Sequence, residues 1–331
     1  MFLICFGTRP EYIKVKSLIE NLSNIKTCFT GQHPDLLKDI PNNVDFKLNM
    51  NASDSTKNRL NDIFIAILKH TNIFQDTIEY VLVQGDTTTA CAIAMAAFHH
   101  HKKVIHLEAG LRTNNIHDPF PEEMNRQVIS RIANLHLCPT YHNKQNLLKE
   151  NIPEDNICVV GNTGLDNISK DGCEYTNLVL VTLHRRDNHN IMDQWFEKVE
   201  YLANQYPEIK FIIPLHPNPN VQKHRNLFKT VDVVAPLGHE EIIKIIKKCK
   251  FIISDSGGLQ EEASFLNKKI IVCRKTTERP ESVGVHSIMC ACPEMLVSVF
   301  EHVNNDNNYK INAECPYGDG KSYKKIINFL E

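Results

Sequence analysis

The feature that most restricts this chain is a recurring pattern: a short apolar run, a glycine-containing turn, then a segment of helical period. Residues 2–6 form such a run, Gly7-Thr8-Arg9-Pro10 is the turn, and 11–21 places Ile13, Val15, Leu18 and Ile19 on one helix face. Pro10 suits the first turn of that helix, where its missing N–H would have no partner anyway. Residues 80–84 pass through Gly85-Asp86-Thr87-Thr88-Thr89 into an alanine-rich helix over 90–99, and 104–107 run into Glu108-Ala109-Gly110. Short apolar strands alternating with helices dictate a parallel sheet with right-handed crossovers, hence an α/β fold.

The first half also contains a weak strand over 25–29, an amphipathic helix over 58–70, a proline-bearing loop over 111–123, a helix over 125–134 and a strand over 135–138. A polar stretch over 166–177 separates this series from a second one. That second series has strands at 178–182, 211–216, 231–234, 251–254 and 270–273, with helices at 193–204 and 240–248. At 331 residues the chain exceeds one compact core. The expected domains are 1–166 and 167–312, followed by a tail over 313–331 that is helical from 317 to 330.

Lys and Arg number 37 against 39 Asp and Glu, a net charge of −2, so no global field favours nucleic acid or an anionic membrane. Anion binding must be local. The apolar run at residues 2–6 is too short, and lacks the basic start, for an export signal, and no apolar run is long enough to span a membrane. The 11 scattered cysteines are expected to be reduced thiols in a cytoplasmic protein. His99-His100-His101 is a solvated helix end rather than a metal site.

In doubly wound sheets ligands bind beyond the carboxyl ends of the strands, where Arg9, Asp86 and Glu108 all fall. The strand 251–254 runs into Ser256-Gly257-Gly258 and a helix from Leu259. Glycines there let a ligand approach the backbone, and the first helical N–H groups with the helix dipole suit a phosphate. Glu262, expected on the first turn, is placed for the two hydroxyls of a ribose. An ordinary strand-to-helix turn would carry the same letters.

The residues GTRPE at 7–11, GDTTT at 85–89, HLEAGLRT at 106–113, PFPEEMNR at 119–126, GNTGLD at 161–166, HRRDN at 184–188, HPNPNV at 216–221, DSGGLQEEA at 255–263 and TTERPE at 276–281 occur in this order. Together they resemble the non-hydrolysing UDP-N-acetylglucosamine 2-epimerases, from Met1 to about Ser322. The resemblance implies two Rossmann-like domains facing a cleft (the GT-B arrangement), with the C-terminal helix returning to the first domain, and a homodimer. It implies a UDP-sugar substrate and no metal, nicotinamide or other cofactor. The implied chemistry is anti-elimination of UDP to a 2-acetamidoglycal, then re-addition with a proton delivered to the other face of C2. Asp86, Glu108 and Glu122 match the catalytic carboxylates. Arg9 and His184 match diphosphate contacts, His184 as an imidazolium, with Lys14 assisting. Ser256, Gly257 and Gly258 would hold phosphate through backbone N–H groups, and Glu262 the ribose. Arg112, His216 and Gln260 would line the cleft.

Two features bear on the branch of the family, and a third branch stays open. The chain is shorter than typical bacterial members, and its 49–55 stretch lacks the Pro-Gly-Gln segment that serves an allosteric second substrate. Hydrolysing relatives, which release N-acetylmannosamine, carry an Arg-Ala-Asp-Tyr type first turn where this chain has GTRPE. A branch acting on UDP-2-acetamido-2,6-dideoxy-L-hexoses shares the diphosphate motifs. Outside the family, a GT-B glycosyltransferase or a non-enzymatic nucleotide-sugar sensor would share the fold. The carboxylate set Asp86, Glu108 and Glu122 argues against a transferase, which has no work to do at C2.

Overall fold

The computed structural model describes residues 1–32, 44–48 and 59–331; the first residue of the helix expected over 58–70 and the 49–55 stretch lie outside them. The chain divides into two compact units, one of Met1–Asn167 with Gly318–Glu331, the other of Ile168–Tyr317.

The first unit runs β1 (Phe2–Phe6), α1 (Arg9–Asn21), β2 (Ile25–Phe29), β3 (Phe46–Lys47), α2 (Arg59–Lys69), β4 (Tyr80–Gln84), α3 (Thr88–His99), β5 (Lys103–Leu107), α4 (Glu122–Ile132), β6 (Leu135–Cys138), α5 (Tyr141–Lys149) and β7 (Ile157–Val159). Among the described residues its sheet has the order β3-β2-β1-β4-β5-β6-β7, every pair parallel. Strand order reverses between β1 and β4, the point where such folds bind ligands. Leu3, Ile4, Val81, Leu82 and Val83 have no exposure, which explains their continuous apolar spelling. The small side chains of α3 let it lie buried on nearly every side.

The second unit runs β8 (Leu178–Thr182), α6 (Met192–Gln205), β9 (Lys210–Pro214), α7 (Pro219–Gln222), β10 (Asp232–Val234), α8 (His239–Lys248), β11 (Phe251–Ser254), α9 (Gly257–Phe265), β12 (Ile270–Val272), β13 (Ser287–Met289) and α10 (Leu296–Asn304). Its sheet order is β10-β9-β8-β11-β12-β13, again all parallel, with the reversal between β8 and β11. Trp195, Phe196, Phe211, Phe251 and Phe300 fill the core on one side of it. Both units are Rossmann-like α/β folds.

The tail helix α11 (Ser322–Leu330) belongs to the first unit. Asp166 accepts the backbone N–H groups of Ser322 and Tyr323, each at 2.8 Å, and Ile326 is buried with Val15 and Leu18. The helix starts at Ser322 rather than 317 because Gly318 and Gly320 adopt positive φ, +116° and +75°. Other helix starts also move, and two of them bear on the site. α4 begins at Glu122, not 125, so Glu122 is helical rather than in the loop. α9 begins at Gly257, not Leu259, which moves Glu262 from the first turn to the second. The elements β3, α5, β7, α7, β13 and α10 were not expected from the letters. All cysteines are free, and no described helix is long and apolar enough to cross a membrane.

Candidate active site

In the first unit the turns after β1, β4 and β5 carry the expected polar residues. Thr8 caps α1 and accepts the Glu11 N–H at 3.4 Å, while buried Glu11 accepts the N–H of Gly7 at 2.9 Å and of Thr8 at 2.7 Å. Glu11 also accepts the Thr87 hydroxyl at 2.7 Å, joining the β1 turn to the β4 turn. Burial raises its pKa, partly offset by those donors. This carboxylate is spent on the scaffold. Arg9, one turn position away, is exposed.

Glu108 follows β5 directly, with φ +65°, a left-handed conformation that is uncommon for a residue with a Cβ. Its carboxylate is held by the Lys14 ammonium on one oxygen and the Gln84 amide on the other. Lys14, expected near the diphosphate, is thus directed at a carboxylate. Asp86 receives Arg126, with Nε at 2.8 Å and Nη2 at 2.6 Å of Oδ2, and its backbone carbonyl accepts the Asn125 amide at 2.8 Å. Those two contacts bring the first turn of α4, with Glu122, to the carboxyl edge of β4. Fully buried Glu123 accepts Arg126 at 3.1 Å and the backbone N–H groups of Thr113 and Asn114, fixing the loop before α4.

Behind this edge His106 lies 2.8 Å from the Gly85 carbonyl, and His136 sits edge-on to it at 6.5 Å. Burial is the main cause that lowers both, His106 to about 3 and His136 to about 4. Arg112 does not join the carboxylates. It is buried, with its guanidinium 2.5 and 2.9 Å from the two oxygens of Glu150 and 2.9 Å from the Ser130 hydroxyl.

In the second unit His184 follows β8 and the Ser-Gly-Gly turn follows β11, on the two strands at the reversal. Fully buried Asp255 ties them together. It accepts the N–H of His184 at 3.0 Å, the N–H of Arg185 at 2.9 Å and the Asn188 amide at 3.0 Å. His216 stacks on His184 with ring centres 4.9 Å apart. Burial lowers the His184 pKa, Asp255 opposes this, and Arg185 and His189 add to it. The imidazolium expected from the sequence is therefore disfavoured in the ligand-free chain.

A Cβ on Gly258 would meet no atom within 4 Å, whereas one on Gly257 would lie 2.6 Å from Arg279 Nη1. Gly258 leaves room for a ligand; Gly257 leaves room for the protein. The Ser256 N–H donates to the Ser254 hydroxyl at 2.9 Å, so it is not an open amide as expected. Its hydroxyl, which makes no cap bond, is the group left at this position. Gln260 is fully buried and braces the turn, accepting the Thr277 hydroxyl at 2.9 Å. Arg279 pairs with Glu261 at 2.8 Å and with Glu278, and Glu278 also pairs with Arg274 at 2.9 Å. Burial would raise the Glu278 carboxyl, but Arg279, Arg274 and Arg185 outweigh it and hold it well below the usual range. Glu262 meets His239 Nε2 at 2.7 Å.

Sequence reading missed Arg126, Gln84, Asp255, Glu278 and His239. Asp255 and Arg126 lie within quoted motifs, and a polar residue ending an apolar strand is a usable signal. His239 gave none.

Two Rossmann-like units with polar residues at the carboxyl ends of their parallel strands put this chain in the α/β class that takes ligands at its switch points. The UDP-N-acetylglucosamine 2-epimerase family model matches residues 18–331, and the chain belongs to that family, a family of isomerases. It is similar to the UDP-N-acetylglucosamine 2-epimerase of Campylobacter jejuni, 39% identical over 99% of this chain and 96% of the relative. The Bacillus subtilis protein of the same name is 36% identical over 98% and 93%. Among solved structures, the Neisseria meningitidis UDP-GlcNAc 2-epimerase bound to UDP-GlcNAc gives a TM-score of 0.89 at 34% identity, covering 99% of both chains. The Methanocaldococcus jannaschii UDP-GlcNAc 2-epimerase in complex with UDP-GlcNAc and UDP gives 0.82 at 29% identity, covering 100% of this chain and 99% of that one.

Proposed function

We propose that the chain is a non-hydrolysing 2-epimerase that interconverts UDP-N-acetylglucosamine and UDP-N-acetylmannosamine without a cofactor. The observation that carries this reading is the division of chemistry. Asp86 and Glu108 follow the neighbouring strands β4 and β5, with Glu122 on the first turn of α4, and the open turn at Gly258 and His184 follow the two strands at the reversal of the second unit, which we read as an anion cradle. In this reading the second unit binds the nucleotide diphosphate and the first unit works on the sugar.

A carboxylate removes hydrogen from C2 as a proton. The C1–O bond breaks with its electron pair leaving on UDP, and a C1–C2 double bond forms. A UDP oxygen then re-attacks C1 while a carboxylic acid on the opposite face returns a proton to C2. Substrate and product are at one oxidation level. General acid–base catalysis of this kind contributes about 10²–10⁴ in rate. Arg9 and the first N–H groups of α9 would stabilise the charge on departing UDP. That charge would also draw onto His184 the proton that burial withholds in the free chain.

The test is turnover of UDP-N-acetylglucosamine in D₂O, followed by NMR. Deuterium at C2 of a product still bearing UDP is expected. Release of free N-acetylmannosamine would make it a hydrolysing enzyme, and turnover without exchange would exclude the glycal route. The relatives' names favour the D-gluco substrate, and a UDP-6-deoxy-L-hexosamine tested alongside checks this. A cytoplasmic homodimer fits the same reading. Exposed Ile65 and Leu68 on α2 and Phe98 on the adjoining α3 offer apolar surface for a second copy, and light scattering measures the mass.

A further inference from the structure

Three consecutive side chains of α9 point in three directions. Gln260 turns to Thr277, Glu261 to buried Arg279, and Glu262 to His239 on the first residue of α8. α8 starts at the carboxyl end of β10, so its first residue stands at the same sheet edge as the Ser-Gly-Gly turn. The Glu241 carboxylate accepts the Gly238 N–H at 2.8 Å and fixes the backbone that carries His239. Glu262 lies on the second turn of α9. At 1.5 Å per residue it is about 9 Å along the axis from Ser256, comparable to the span from a diphosphate to the hydroxyls of its ribose.

We infer that His239 is a positioning residue for nucleotide recognition: it fixes Glu262 to grip the ribose diol and so sets a preference for ribo- over 2′-deoxyribonucleotides. The inference rests on the proposed role of Glu262 as the ribose ligand. His239 Nε2 engages Oε1 of Glu262 at 2.7 Å, and among the described residues Oε2 meets no other donor. The glutamate side chain has three torsions, which a ligand would otherwise have to freeze itself. With the imidazole in place the carboxylate is already ordered, and both hydroxyls gain from that preorganisation.

The experiment measures dissociation constants for UDP and 2′-deoxy-UDP, with kcat and KM for the UDP-sugar, in wild type, Glu262→Ala, His239→Ala and His239→Gln. Wild type should prefer UDP by about tenfold or more, as a hydrogen bond to a charged carboxylate provides. Glu262→Ala should abolish that preference. His239→Ala should cut it several-fold and raise KM while kcat at saturation stays within about twofold. His239→Gln, whose amide still donates, should restore most of it. A His239→Ala enzyme with the full preference overturns the inference while leaving the ribose role of Glu262 intact. So does one whose melting temperature, kcat and preference fall together without rescue by glutamine. If wild type has no preference, or Glu262→Ala keeps it, the ribose role itself fails and the inference falls with it.

Discussion

The two units share a strand order, a switch point and even a Thr or Ser at the critical turns, yet they use charge in opposite ways. In the first unit Asp86 and Glu108 stand at the edge, each held by a basic side chain from a neighbouring helix. In the second, Asp255, Glu261 and Glu278 are almost wholly buried, where they hold backbone and arginines so that N–H groups face outward. Both units bury some acids, Glu11 and Glu123 in the first, but at the turns that follow their central strands the first leaves Asp86 and Glu108 at the edge and the second buries Asp255. A doubly wound sheet decides where chemistry happens; the depth of a few carboxylates decides which chemistry.

The comparison can be broken most sharply at Glu108. Glu108→Gln should lower turnover by about 10³-fold with little change in melting temperature, measured by kcat and circular dichroism. A variant with near-normal turnover would remove the first unit's claim to the chemistry. The next largest effect is expected at Arg279, on the other side of the comparison. Arg279→Met takes a guanidinium away from buried Glu261 and leaves Glu278 with Arg274, and should cost about 3–5 kcal/mol in denaturant unfolding. Loss of UDP binding with no loss of stability would instead make Arg279 a ligand contact.

A third test uses the buried histidines. Unfolded histidine takes up its proton near pH 6.5, whereas native His106 and His136 wait until about 3 and about 4. Stability is therefore full above pH 6.5 and falls as pH drops from there towards pH 4, by about 1.4 kcal/mol per pH unit for each histidine. His136→Leu should remove one proton's worth of that slope, read from unfolding free energies between pH 4.5 and 6.5. The smallest effect is expected where the tail joins the first unit. Asp166→Ala leaves two N–H groups of α11 without their acceptor and should cost about 1 kcal/mol, with faster proteolysis after Gly318.

Much of this was legible in the letters. Unbroken apolar strands such as 80–84 and 178–182 announced themselves because they are buried on both faces, and glycine turns marked where they stop. Short strands at the sheet margins, such as β7 and β13, did not, since three residues carry no period. The helix starts at Gly257 and Glu122 were hidden for another reason: glycine, proline and adjacent acids read as loop, while tertiary contacts such as Arg126 with Asp86 hold them helical. The carboxylates proposed for the site could be picked from motifs. Their counterions could not, because Lys14 lies 94 positions from Glu108 in the sequence and nothing local ties them. Arg112 and Gln260 show the converse, polar residues inside recognisable motifs that turn out to brace their own units.

The backbone at Glu108 has a bearing on how such a protein ages under mutation. A left-handed site is comfortable for glycine or asparagine and costs a glutamate about 1–3 kcal/mol. Selection for robustness alone would push that position towards Gly, and Glu108→Gly should yield a chain at least as hardy and catalytically dead. Screens that reward only heat tolerance or expression would drift there first, so a library built on this scaffold needs turnover in its selection from the opening round.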